Sequence, residues 1–340
     1  MHKKSNPSGI YNVVKAITAL LVVFGHCAVM HTSDGAFSPL NHSWIFEKTT
    51  KYIYLFHMPL FMFVSGAVYG LCIQQSKYED TLEFIRNKIK RLLIPYFSFG
   101  FLYVAPAVCL MGVTDQDYFS YCLSGIVLSM NSRHLWFLLA LFHIFMFAIF
   151  LRKWILKSRY TQASVLLLSC AVYILAKYVP VALQLRKACS YQFFFILGTL
   201  FHFYFEQAEA DFVKCRYLLV VLPIILLASF FYNPGQIVAC CYNLTGILMI
   251  MMLVTFLEQK KQISKTKFFQ HMADTSMGIF LFHPMIIYLG CYWLGGRDIP
   301  AVVLAIGIFL ASCCISILLT KGVRLLGLGM LLGEQKTLPL

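Results

Sequence analysis

The chain alternates long apolar runs with short polar segments that are mostly basic. Runs of about 17–22 apolar residues are long enough to cross a bilayer as helices. Ten can be marked: 12–32, 52–72, 93–113, 134–151, 161–179, 190–206, 217–232, 237–257, 274–294 and 299–320. Only the turn signal Asn233-Pro234-Gly235 separates the seventh from the eighth. The first run follows His2-Lys3-Lys4 as a signal peptide would. No small-residue cleavage site follows, however, and Lys15 interrupts the run, so it reads as an uncleaved first helix. No internal repeat or low-complexity linker is evident. The pattern predicts an all-α polytopic membrane protein, a single domain over residues 1–340 built as a bundle of about ten transmembrane helices.

Composition supports this reading. The 340 residues are 60% hydrophobic and 12% charged, with mean hydropathy +0.74; a soluble domain runs about 45–50% apolar and about 25% charged. The net charge of +14 has a simple origin in loop charge. With the N-terminus inside, 21 of the 28 Lys and Arg residues fall on the inner side. The positive-inside rule then predicts that both termini are cytoplasmic and removes any need for nucleic acid as a partner. The twelve cysteines are scattered, without CxxC or metal-ligand spacing. They read as small apolar fillers, and no metal is expected. There is no P-loop, GxSxG elbow, HExxH or Rossmann fingerprint. Acidic residues avoid the span interiors, with Asp274 at the start of the ninth, which weakens a proton-coupled carrier.

Candidate chemistry lies in polar residues inside the runs. A buried, unpaired polar ring in hydrocarbon costs several kcal/mol, so His26, His57, His134 and His283 each need a partner or a use. His283 reads first as a helix–helix hydrogen-bond donor. His134, beside Trp136, fits an aromatic belt. For His57, pairing with a carbonyl freed by Pro59 balances a site role. His26 has the strongest functional case, because Lys15 lies eleven residues earlier, close to three turns and on the same face, about 16 Å below. The alternative for Lys15 is snorkelling to inner headgroups.

The segment SKYEDTLEFIRNKIKRLLIPYF, about 77–92 in its basic part, reads as an amphipathic cytoplasmic helix with Leu82, Ile85, Ile89 and Leu92 on one face. Pro95 is expected to end it. Arg86, Lys88, Lys90 and Arg91 make it either an interfacial helix on anionic lipid or a phosphate-binding patch for a nucleotide-bearing donor.

Together these segments resemble the bacterial integral-membrane acyltransferases called acyltransferase type 3. The resemblance covers nearly the whole chain. KAITALLVVFGH supplies a basic residue, ten intervening residues and a histidine, as in that family's first helix. FHMPLFMFVSG matches its second, with His57, Pro59, Ser65 and Gly66. The basic run leading into RLLIPY (Arg86, Lys90, Arg91, Pro95, Tyr96) matches the start of its third. HLWFLLALF and FLFHP look like the fucose 4-O-acetylase-related, polysaccharide O-acetyltransferase branch. One departure is that the family's basic residue on helix 1 is commonly Arg, whereas Lys15 lacks the bidentate fork.

The resemblance implies a membrane O-acetyltransferase, with acetyl-CoA as acyl-donor co-substrate and no permanently bound cofactor. The acceptor would be a hydroxyl of a cell-surface glycan (O-antigen, capsule or exopolysaccharide) or its lipid-linked precursor. Donor phosphates would rest on Arg86, Lys88, Lys90, Arg91 and Lys15. His26 would act as general base or as a covalent acetyl carrier. His57 would orient it or donate to the oxyanion. From their chemistry and outer position, and not from the resemblance, Asp34, Glu47, His134 and Trp136 are the expected sugar contacts. The membrane would be the bacterial inner membrane, with lipid as a partner. The competing reading is a carrier or flippase for a lipid-linked glycan without acyl chemistry; a cytoplasm-facing lipid acyltransferase is a third.

Overall fold

Asn6 opens the first helix by accepting the Ser8 N–H at 3.1 Å, and Pro7 fills the first turn, where its missing N–H costs nothing. The computed structural model describes residues 6–32, 43–229, 235–295 and 297–334, and among them there is no strand. The helices are α1 (Pro7–Val29), α2 (Trp44–Gln74), α3 (Thr81–Leu110), α4 (Arg133–Lys157), α5 (Arg159–Tyr178), α6 (Ala182–Phe203), α7 (Phe205–Lys214), α8 (Leu218–Ala228), α9 (Gln236–Lys261), α10 (Lys267–Leu294) and α11 (Ala301–Leu325). A short apolar helix, Tyr118–Val127, lies between α3 and α4.

Each of the ten apolar runs falls on a helix. Eight described helices are long and apolar enough to span by themselves, and α6 makes a ninth if joined to α7. That pair bends by 87° at Tyr204, so the sixth span stops short of the predicted 206. The helix α8 has 11 residues, a rise of about 16 Å against about 30 Å of hydrocarbon. Residues 230–232 of its predicted run lie outside the described residues.

The sequence places a break at Pro95, but the helix runs through it. Two π-helical turns, Ile89–Leu93 and Gly100–Val104, precede Pro95 and Pro106. A proline removes an N–H and crowds the carbonyl four residues back; widening the turn relieves both. The inward face also differs from the predicted stripe. Phe84, Lys88 and Leu92 are buried, whereas Leu82 and Ile89 are exposed. Phe84 wins the core position because its ring packs among Tyr69, Tyr78 and Phe145.

Lipid offers little hydrophobic drive between helices, so close backbone approach through small residues carries the packing. Between α2 and α6 a Cβ on Gly66 would meet the Phe195 carbonyl oxygen at 1.9 Å, and one on Gly198 would meet that of Phe63 at 1.9 Å. Thr199 Oγ1 donates to the Gly66 and Phe195 carbonyls at 3.1 and 2.9 Å. One turn on, His202 Nε2 donates to Gln74 Oε1 at 2.7 Å, while its Nδ1 accepts the Tyr11 hydroxyl at 2.9 Å. This buried relay ties the start of α1 to the ends of α2 and α6.

The same end holds the start of α10 and the end of α11. Arg324 reaches Asp274 at 2.5 Å and Glu334 at 2.7 Å, and Lys15 lies in the field of Asp274 and Arg91. Thus α1 and α10 run parallel and α11 returns beside them. This basic end, and the opposite end where the Ser43 N–H meets the His31 carbonyl at 3.0 Å, frame the site.

Candidate active site

His26 lies near the far end of α1. Its ring centroid is 5.1 Å from that of His283 on α10, edge to face at 76°, and 6.5 Å from Tyr54 on α2. Tyr54 in turn lies 4.9 Å from His57. His134, at the start of α4, lies 5.8 Å from His283. Four helices therefore converge on one group of imidazoles.

Three of these rings have one nitrogen tied to backbone. His57 Nδ1 donates to the Ile53 carbonyl at 2.9 Å and His283 Nδ1 to that of Ile279 at 2.8 Å. His134 Nε2 donates to the Leu281 carbonyl at 3.2 Å. Since carbonyls only accept, each contact fixes a tautomer. What remains is a bare lone pair, at Nε2 of His283 and Nδ1 of His134, both buried without a hydrogen-bond partner among the described residues. His26 is different. It is only partly buried, and neither of its ring nitrogens makes a hydrogen bond among the described residues.

The prolines play a structural part here. Pro59 and Pro284 sit within two residues of His57 and His283, inside α2 and α10. The carbonyl freed by Pro59, that of Leu55, is met by the amide nitrogen of Asn243 when that side chain is turned to face it. His57 bonds to the Ile53 carbonyl, two residues before the freed one, so the expected pairing with the carbonyl freed by Pro59 does not form.

The other predicted residues separate into groups. Lys15 is partly buried on the α1 face of His26, at the basic end. Arg86, Lys90 and Arg91 are exposed there, available to an anion. Lys88 is not: its ammonium sits 3.7 Å from the Phe145 ring centroid and 5.1 Å from those of Tyr78 and Phe84. This aromatic cage uses its charge inside the protein. Glu47 is exposed on the first turn of α2, at the His26 end. Trp136 stacks on Tyr191 at 5.4 Å with the Lys187 ammonium 4.0 Å over its ring, turned toward α6 and away from the histidines. Asp34 lies outside the described residues. Among the described residues no group of three His, Cys, Asp or Glu side chains is arranged to hold a metal, and all twelve cysteines are free.

Sequence reasoning gave His283 first a packing role, and left out Tyr54 and the ion group that Arg324 and Glu334 form with Asp274. A signal for His283 was present. Asp274 precedes His283 by nine residues much as Lys15 precedes His26 by eleven, which suits two parallel helices with matching ends.

The family model described as an acyltransferase domain matches residues 9–321. Nodulation protein NolL of Sinorhizobium fredii is 27% identical over 223 residues, 62% of this chain. The match spans about half of that relative's length, 53%. No solved structure matches the chain.

Proposed function

The chain belongs to the acyltransferase family matched over residues 9–321, and we propose from that premise that it is a multi-pass O-acetyltransferase. It would move an acetyl group from cytoplasmic acetyl-CoA to a hydroxyl of a cell-surface glycan or its lipid-linked precursor. The observation that carries the reading is the His26 ring, without a ring hydrogen bond among the described residues, in a group of imidazoles, with Lys15 three turns below on the same helix face. The glycan acceptor and the bacterial inner membrane rest on the resemblance of the FHMPLFMFVSG, HLWFLLALF and FLFHP segments to the O-acetylase branch.

In this scheme the donor phosphates rest on Arg86, Lys90, Arg91 and Lys15 at the basic end, taken as the cytoplasmic one. Charge-assisted contacts suit that role. The thioester arm rises along α1 to His26. Neutral His26 takes the proton of the acceptor hydroxyl as its oxygen attacks the thioester carbonyl carbon. The C–S bond then breaks, and the His26 imidazolium returns the proton to the departing thiolate. In the two-step form, the free nitrogen of His26 attacks the thioester carbonyl, the C–S bond breaks, and the departing thiolate takes the ring N–H proton; the acceptor hydroxyl then attacks the acetyl-imidazole, the C–N bond breaks, and the hydroxyl proton passes to the ring. His57, across Tyr54, supports the group at its acceptor side.

The test compares surface glycan from cells carrying the wild type, His26→Ala or an empty vector, by mass spectrometry before and after mild base. Membrane level of each protein is measured in parallel. A base-labile acetyl present with the wild type alone supports the reading. Acetylation that persists in His26→Ala removes His26 from the chemistry. A change in glycan amount with no acetyl in any sample favours the carrier reading.

A further inference from the structure

We infer that His283 is the positioning residue for His26: it accepts the His26 N–H and so fixes which nitrogen of that ring faces the substrate. The inference rests on the acyltransferase reading above and deepens it.

A general base must present a lone pair to the hydroxyl it deprotonates, so its other nitrogen must carry the proton. In the familiar serine-protease arrangement a carboxylate accepts that proton-bearing nitrogen and holds the ring. No carboxylate is described beside His26. The acceptor on offer is Nε2 of His283. Its tautomer is set by the donation of Nδ1 to Ile279, and its lone pair is buried without a partner. An unmatched buried acceptor costs about 1–3 kcal/mol. The ring centroids lie 5.1 Å apart, edge to face. A small turn of the His26 ring closes this into a hydrogen bond, as loose contacts in free enzymes tighten when substrate binds.

The backbone carrying His283 is held firmly. Ser312 Oγ donates to the His283 carbonyl at 3.2 Å, and the Tyr103 hydroxyl donates to the Phe282 carbonyl at 3.0 Å. His283 itself is fully buried. It therefore acts through His26 and does not touch the acceptor. When His26 gains the hydroxyl proton, the His283 lone pair faces the imidazolium N–H. The second N–H is left free to return to the thiolate. His134 also keeps a bare lone pair, at Nδ1, but its ring packs on His283 at 5.8 Å, whereas His283 is the imidazole packed on His26.

The experiment uses membranes from cells expressing the full chain, acetyl-CoA as donor and surface glycan from empty-vector cells as acceptor. Wild type, His283→Gln, His283→Asn and His283→Leu are compared for kcat and for KM of acetyl-CoA. The Gln oxygen reaches the place of Nε2, whereas the shorter Asn amide reaches only that of Nδ1. Expected is a loss in kcat of ~100-fold for Leu and Asn, the scale of a misplaced catalytic group. The KM for acetyl-CoA stays within about twofold, and Gln recovers kcat to within about tenfold of the wild type. Equal rates for Gln and Asn overturn the inference, as does a Leu variant with near wild-type kcat or a loss confined to KM. If Leu fails to reach the membrane, the Gln and Asn pair decides. A wild type with no acetyl transfer overturns the acyltransferase reading and this inference with it; an active wild type with indifferent variants overturns the His283 role alone.

Discussion

Arg324 Nη1 lies 2.5 Å from Asp274 Oδ2, and the same guanidinium grips Glu334 through Nε and Nη2. Asp274 is thereby held at the start of α10, where its charge reaches Lys15 on α1. The pair is partly exposed, and such ion pairs contribute about 0–1 kcal/mol. Its meaning lies in electrostatics: it sets an anion beside the cation assigned to the donor.

Asp274→Asn removes that anion and leaves the shape. If Lys15 neutralises a donor phosphate, the basic end becomes more positive and KM for acetyl-CoA falls, by about twofold to fivefold for a partly screened charge. The fall shrinks as salt is raised. Saturation curves at two ionic strengths measure it, and a rise in KM counts against Lys15 as a donor contact.

Gly66→Ala is expected to destabilise the protein strongly. Its new Cβ meets a backbone oxygen at 1.9 Å, so α2 and α6 must part. Overpacking of this kind costs about 1–3 kcal/mol or more. Gly307→Ala on α11 is the matched control, because a Cβ there has nothing within 4 Å. Thermal unfolding in detergent is expected to fall by several degrees for the first and to stay level for the second.

Much of this arrangement was legible in the chain because apolar run length alone sets the spans, and the 3.6-residue turn alone puts Lys15 and His26 on one face. The remainder needed contacts that no local pattern encodes. Pro95 signals a break by backbone rules, yet π turns absorb it. Leu82 and Ile89 fit the helical stripe, but Phe84 fills a ring pocket built by α2 and α4 and takes the inner face. His283 looked like a packing residue because its neighbour His26 lies 257 positions away and meets it only once α1 and α10 run parallel.

Lys88 and its neighbours Arg86 and Lys90 are expected to respond differently to loss of charge. Lys88→Met keeps a flexible stem against Phe145, Tyr78 and Phe84 and gains sulfur–aromatic contact. Membrane level should stay near wild type and KM for acetyl-CoA within about twofold, since a cation–π contact is worth about 0.5–2 kcal/mol and acts within the protein. Arg86→Met and Lys90→Met remove exposed charges and should raise KM by about threefold to tenfold, the scale of ~1 kcal/mol per charged contact. The same initial-rate assay, run across all three, checks this. A Lys88→Met variant that binds donor worst restores Lys88 to the phosphate patch.

Lys15 separates two meanings of a positive charge on α1. If it serves only to neutralise donor phosphate, Lys15→Arg keeps the charge and should hold kcat/KM within about threefold, whereas Lys15→Gln should lose about tenfold or more, chiefly through KM. If instead the helix-1 cation must act as a compact ammonium between Arg91 and Asp274, the larger planar guanidinium fails in that partly buried place. Arg and Gln would then fall together, with kcat affected as well as KM. A Lys15→Gln variant with full activity would mean that the side chain merely extends toward lipid headgroups. Because His26 sits three turns away, none of these changes should alter the base-labile character of whatever product forms. A changed linkage would show that Lys15 directs the chemistry as well as the binding.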